Sequence, residues 1–125
     1  MKLRDIVPIY QVLTRITIDH TEPFDAGTGL RIKKILDETE LSYTYYTQEV
    51  QNIIREYCEM DENGELKLDE SGSLIFKDAE TAQAKMNELD DTDVADISIH
   101  FNIKEFEGLS LPYEDVSKLS PIVDF

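Results

Sequence analysis

The sequence predicts an α+β fold in which a long central helix packs with shorter helices and a small antiparallel sheet, made of a hairpin and one strand. Apolar side chains recur at intervals of four and three residues from Ile32 to Met60, which is the spacing of one helical face. Residues 66–76 and 97–103 instead alternate apolar and polar side chains, as strands with one buried face do. The length of 125 residues suits a single domain, residues 1–125.

The first predicted element is a short helix over residues 3–13, where apolar residues follow helical spacing and Pro8 is tolerated near the first turns. Residues 15–19 alternate and are rich in β-branched side chains, so we expect a brief extended stretch there. A loop over residues 20–24 then leads to the long helix.

The long helix is the clearest element in the chain. Asp25 or Thr28 can cap its start, and Gly64 supplies the left-handed residue that is expected to end it. At ~1.5 Å per residue this helix would be about 50 Å long, more than a domain of this size usually needs for its own core. Its apolar stripe is therefore covered either by other helices of this chain or by another protein. The interface candidates are Ile32, Leu36, Tyr43, Tyr46, Val50, Ile53 and Tyr57.

The second half of the chain is predicted to contain shorter elements. A hairpin turns at residues 69–73, and a helix begins at Asp78 and ends in an acidic run that contains Asp90, Asp91 and Asp93. The strand over 97–103 follows, with His100 expected on its polar face. The last predicted helix spans residues 110–119 and leaves an apolar C-terminal end: Ile122, Val123 and Phe125.

The charge of the chain excludes several classes of partner. Asp and Glu number 27 against 12 Lys and Arg, and the net charge is −15. Thirteen acidic and three basic residues lie between Glu59 and Asp96, and we recognise no internal repeat. Such a charge repels phosphate backbones and anionic lipids, and no apolar run approaches the ~20 residues that cross a bilayer. We therefore expect no direct nucleic-acid or membrane partner and a location in the cytoplasm.

Candidate chemical sites are few. Glu59, Asp61, Asn63, Gly64, Leu66 and Glu70 fall on the first, third, fifth, sixth, eighth and twelfth places of an EF-hand-like loop. The first place is normally Asp, and residues 71–76 do not form the exiting helix that such a loop needs, so we expect a solvated acidic hairpin instead of a calcium site. Cys58 is expected to be a partly buried, inert thiol, and His20 a loop residue. We predict no enzyme activity and no cofactor.

The order of helices and turns also carries a resemblance to a known family. Its cues are the first helix, the long helix closing with Ile54-Arg-Glu-Tyr57, the turns Asp61-Glu-Asn-Gly64 and Asp69-Glu-Ser-Gly72, Asn87-Glu-Leu89, the strand, Leu109-Ser-Leu-Pro-Tyr113 and Val116-Ser-Lys-Leu119. This layout resembles a family of short tailed-phage proteins of unknown function that are commonly encoded among virion and assembly genes. The resemblance implies a phage origin and a binding or structural role, and no catalytic residues.

Two functional hypotheses follow. The first is a small acidic phage accessory protein that binds phage or host proteins, or further copies of itself, as a virion-associated or assembly component in the host cytoplasm or the particle. The second is a DNA-mimic inhibitor of a host nuclease or defence complex, in which Asp90, Asp91 and Asp93 take the place of phosphates.

Overall fold

A computed structural model describes residues 1–19 and 24–124. The loop prediction for His20 and part of the apolar C-terminal end, Phe125, lie outside these residues. The elements in chain order are α1 (Leu3–Asp19), α2 (Ala26–Tyr57), α3 (Ala79–Asp90), β1 (Phe101–Asn102), α4 (Ile103–Gly108), α5 (Tyr113–Leu119), a 3-10 turn (Ser120–Ile122) and β2 (Val123–Asp124). The predicted long central helix, flanked by shorter helices, is confirmed.

Helix α1 is longer than the sequence pattern indicated, and the predicted extended stretch over residues 15–19 is wrong. Ile16 continues the apolar face of α1 into the core and is 8% exposed. The hydroxyl of Thr17 donates a hydrogen bond to the carbonyl of Leu13 at 2.8 Å, a bond that β-branched threonine makes within helices. Burial of the helical face therefore outweighs the strand preference of the β-branched residues. Pro8 lies in the second turn of α1 and does not end it.

Helix α2 begins at the predicted cap. The Asp25 carboxylate accepts hydrogen bonds from the backbone N–H of Thr28 at 3.0 Å and from its hydroxyl at 2.9 Å. These bonds favour the ionised form and lower the pKa of Asp25. The helix is unbroken to Tyr57, but the end predicted at Gly64 is wrong, because Cys58 adopts an extended conformation and pairs with Phe76.

The hydrophobic core surrounds α1, which buries seven apolar side chains. The C-terminal elements pack on it through Phe101, Phe106, Leu119, Ile122 and Val123. Helix α2 contributes buried residues only from its first half: Thr28, Ile32, Ile35 and Thr39. The apolar stripe of α2 is thus divided into a half that completes this core and a second half, after Thr39, that does not.

The predicted antiparallel sheet is wrong. Strands β1 and β2 pair in parallel over two residues each, with Phe101 opposite Val123. Ile97 and Phe101 are buried as the alternation predicted, but the chain turns into α4 at Ile103. Asn102 causes this change, since its side chain accepts a hydrogen bond from the N–H of Glu105 and the Glu105 side chain accepts one from the N–H of Asn102.

Residues 58–76, which we call the turn segment, contain the predicted hairpin as isolated antiparallel pairs outside the sheet. Leu68 pairs with Leu74, Met60 with Leu66, and Cys58 with Phe76. The segment contains two copies of one turn, eight residues apart. The prediction that the sequence has no internal repeat was therefore wrong. In each turn an aspartate, Asp61 or Asp69, accepts hydrogen bonds from the N–H groups two and four residues later, and a glycine adopts positive φ: Gly64 (78°) and Gly72 (84°).

His100 joins the segment before β1 to the C-terminal strand. Its Nδ1 lies 3.0 Å from a carboxylate oxygen of Asp124, and its Nε2 lies 3.1 Å from the carbonyl oxygen of Ile97. Both partners accept hydrogen bonds, so only the protonated ring, which donates from both nitrogens, satisfies both. The hydrogen bond to Asp124 is the main reason that the pKa of His100 is raised above its ordinary value of 6.5.

This contact predicts a pH-dependent contribution to stability. A pKa raised by folding stabilises the folded state fully below the unfolded-state value, and that stabilisation is lost as the pH rises through the folded-state pKa. The free energies of unfolding of the wild type and of His100→Gln, measured with urea, should therefore differ most below the ordinary histidine pKa of about 6.5, and the difference should shrink as the pH rises above that value. A difference that does not change with pH would contradict the charged contact.

Candidate binding surface

Three of the interface candidates on α2 pack within this chain. Ile32 is 3% exposed in the core, and Leu36 is half-buried against it. The ring of Tyr43 stacks on that of Tyr10 of α1, with ring centroids 4.2 Å apart and an angle of 20° between the planes. Much of the apolar surface of these three side chains is therefore covered by this chain itself.

Tyr46 marks the contact between α2 and α3. It is half-buried, and the carboxylate of Asp90 lies near its hydroxyl. Burial, and then the Asp90 carboxylate, raise the pKa of Tyr46 above its ordinary value. Leu89, one residue before Asp90, is buried. These contacts hold the C-terminal end of α3 against the middle of α2.

An apolar groove opens beyond this contact, and we call it the distal groove. Its volume is about 300 Å³. Its walls come from the second half of α2, the turn segment and α3, and they comprise Val50, Ile53, Ile54, Leu74, Phe76, Ala79, Ala82, Gln83 and Met86. The interface candidates Val50 and Ile53 are therefore brought together with side chains of two other elements. Tyr57 lies beside a neighbouring, more polar cleft, where Lys85 and Glu56 are also found.

The turn segment extends the apolar surface away from the groove. Residues that pair across antiparallel strands have side chains on the same face, and so do residues two apart. The three observed pairs therefore place six apolar side chains on one face: Cys58, Met60, Leu66, Leu68, Leu74 and Phe76. Cys58 is fully buried, beyond the partial burial that was predicted, whereas Leu68 is 58% and Phe76 44% exposed. Exposed, contiguous apolar side chains of this kind are typical of interaction surfaces.

The acidic candidates near the end of α3 are largely engaged with the N-terminal residues. Asp91 accepts hydrogen bonds from Lys2, at 2.8 Å, and from Arg4, while Asp93 lies 3.9 Å from the Lys2 ammonium. The hydrogen bond and charge of Lys2 lower the pKa of Asp91. Asp90 lies near Tyr46, so each of these three carboxylates faces a side chain of another element of the fold. They do not form a row of free charges.

A different set of acidic residues carries charge without a basic partner. The turn segment and the start of α3 contain Glu59, Asp61, Glu62, Glu65, Asp69, Glu70, Asp78 and Glu80. None of these eight carboxylates forms an ion pair within the described ranges 1–19 and 24–124. Asp78 instead caps α3 through the N–H of Thr81 at 3.1 Å and through its hydroxyl. The stretch of chain that supplies apolar residues to the groove therefore also carries a large unpaired negative charge.

The EF-hand-like positions do not converge on a cation. The carboxylate of Asp61 is turned onto the N–H groups of Asn63, at 2.8 Å, and Glu65, at 3.0 Å. Gly64 lies in a tight turn that closes with antiparallel pairing, not in a loop between two helices. In the part of the chain that the structure describes, which includes Asp61, Asn63 and Glu70, no three Asp, Glu, His or Cys side chains are grouped as metal ligands.

Sequence reasoning identified Val50 and Ile53 but missed Leu74, Phe76 and Met86 as their neighbours in the groove. Two features of the sequence could have identified these neighbours. Asp61-Glu-Asn-Gly-Glu-Leu-Lys-Leu68 and Asp69-Glu-Ser-Gly-Ser-Leu-Ile-Phe76 repeat with a period of eight, which predicts two equivalent turns. The apolar residues of both copies occupy alternate positions, and this predicts their common face.

Two further findings concern the chain as a whole. Within the described residues, no helix has both the length and the apolar character needed to span a membrane. Comparison with protein-family models, with curated proteins and with solved structures finds no match to this chain.

Proposed function

We propose that this chain is a small acidic phage accessory protein that acts by binding other proteins through its distal groove. The observation that carries the proposal is the apolar groove itself, which three elements line and which no side chain of the described residues fills. The molecule has already built its core around α1, so the apolar residues of the groove and turn segment are left for a partner.

The setting of this activity is a virion or its assembly in the host cytoplasm, where the chain serves as a component or adaptor. This part of the proposal rests on the resemblance of the sequence to short tailed-phage proteins. The partners are then phage or host proteins, or a second copy of the chain. The DNA-mimic alternative has less support, because Lys2 and Arg4 already engage Asp91 and the Lys2 ammonium also lies 3.9 Å from Asp93.

The proposal predicts association with particles through the groove. A tagged wild-type chain, produced in infected host cells, should sediment with particles or assembly intermediates on a density gradient. Phe76→Ser, which removes an apolar groove residue without changing charge, should reduce the sedimenting fraction at least tenfold. Leu41→Ser is the matched control, because Leu41 is an 82% exposed apolar residue on α2 outside the groove.

The control variant should sediment like the wild type. Circular dichroism should show equal helix content in all three proteins, which separates loss of binding from loss of folding. A wild-type chain found only as a free monomer, in the absence of particles and intermediates, would contradict the proposed function.

A further inference from the structure

We infer that the distal groove receives a basic amphipathic helix of a partner protein. This inference rests on the proposed function and specifies the chemistry of the partner.

The shape of the groove favours a helix as its occupant. Two of its walls are the helices α2 and α3, which contribute Val50, Ile53 and Ile54 from one side and Ala82 and Met86 from the other. A third helix laid between two helices buries its apolar face in the same way as a helix of a bundle. Ala82 is 3% exposed at the floor of the groove. Because its side chain is small, the two helical walls can approach each other there.

The apolar surface is longer than the groove alone. Phe76 lines the groove and shares a face with Leu68, which lies opposite Leu74 in the turn segment. An amphipathic helix that places one apolar side chain in the groove therefore meets further apolar surface along its length. Side chains at positions i, i+4 and i+7 of a helix are spaced for such an extended contact.

The charge of the stretch that forms two walls of the groove favours a basic partner. Eight carboxylates of the turn segment and the start of α3, from Glu59 to Glu80, have no ion-pair partner within residues 1–19 and 24–124. Only Lys67 and Lys77 carry positive charge in the same stretch. Complementary charge steers association and rejects wrong partners. A Lys- or Arg-rich helix gains this attraction.

The same charge disfavours a second copy of this chain. Two molecules of net charge −15 would bring their acidic surfaces together if both grooves met. Like charges opposed across an interface are unfavourable, and the penalty is largest at low salt. The groove is therefore assigned to a partner of opposite charge and not to self-association.

Fluorescence anisotropy with three labelled 16-residue peptides tests this assignment. The first peptide is an amphipathic helix of Leu and Lys, the second has Glu in place of Lys, and the third has Ser in place of Leu. The full-length chain should bind the Leu/Lys peptide in a 1:1 complex at 150 mM salt, at least tenfold more tightly than either of the others. Raising the salt to 500 mM should weaken the complex several-fold.

Neutral substitutions distinguish the groove from general attraction to an acidic protein. Phe76→Ser and Met86→Gln keep the net charge and should each weaken binding of the Leu/Lys peptide at least fivefold, whereas Leu41→Ser should leave it unchanged. The two variants lie on different elements, so the test remains valid if one of them misfolds. Circular dichroism would reveal such misfolding.

Several outcomes would overturn the inference. These are equal binding by wild type and both groove variants, equal binding of the Ser/Lys peptide, or a wild-type dimer that Phe76→Ser converts to a monomer. If particle association depends on Phe76 but the Leu/Lys peptide does not bind, the proposed function stands and the assignment of a basic helix fails.

Discussion

Replacing Phe101 by alanine is expected to lower the free energy of unfolding by about 3–5 kcal/mol, the largest effect of any single change considered for this chain. Phe101 is fully buried and is the largest fully buried side chain of the core. It also lies in β1, opposite Val123 of the C-terminal strand. Domains of this size are stable by about 5–15 kcal/mol, so the loss removes a large share of the total.

Urea unfolding followed by circular dichroism measures this loss. The matched control is Leu68→Ala, because Leu68 is 58% exposed on the turn segment and its truncation should cost less than about 1 kcal/mol. If Leu68→Ala lowered the free energy of unfolding nearly as much as Phe101→Ala does, the turn segment would contribute to stability as much as the core. That result would contradict the separation of core and binding surface.

Replacing Arg15 by methionine is expected to lower the free energy of unfolding by about 2–3 kcal/mol, because removing one partner leaves a buried carboxylate uncompensated. The side chain of Asp115 at the start of α5 is 5% exposed, and the Arg15 guanidinium of α1 forms an ion pair with it. The Arg15 side chain is 52% exposed, so water moderates the loss relative to a fully buried pair.

A double-mutant cycle separates the interaction between Arg15 and Asp115 from the effect that each substitution has by itself. Arg15→Met combined with Asp115→Leu removes the buried charge together with its partner, and this variant should be more stable than Arg15→Met alone. The exposed pair of Lys33 and Asp37, 3.8 Å apart, serves as the control, and Lys33→Met should change stability by less than about 1 kcal/mol. Additive effects in the cycle at residues 15 and 115 would show that the ion pair is not coupled.

The hydrophobic core and the proposed binding surface lie in different parts of the molecule. The core around α1 and the Arg15–Asp115 pair stabilise the N-terminal half of α2 and the C-terminal elements. The second half of α2 has no fully buried residue. Its apolar residues are only partly buried, so they retain surface that the proposed partner can cover.

The elements that depend on local interactions were predictable. The cap at Asp25, the unbroken helix after it and the turn around Gly72 follow from side-chain hydrogen bonds and periodicity within a few residues. The buried positions Ile97 and Phe101 were also correct. The length of the strand predicted over residues 97–103 was wrong. The strand covers only Phe101–Asn102, because the capping box of Asn102 and Glu105 starts α4 at Ile103.

The start of α2 at Asp25 and the spacing of its apolar stripe were properties of the sequence by itself, since capping and helical spacing depend only on residues a few positions apart. The tertiary structure decided which half of that stripe is covered. Pairing of Cys58 with Phe76 ends α2 and brings the turn segment beside Ile53, and it joins residues 18 positions apart. The parallel pairing of Phe101 with Val123 is likewise a contact between distant residues. Such contacts depend on how whole elements pack, so no local pattern specifies them.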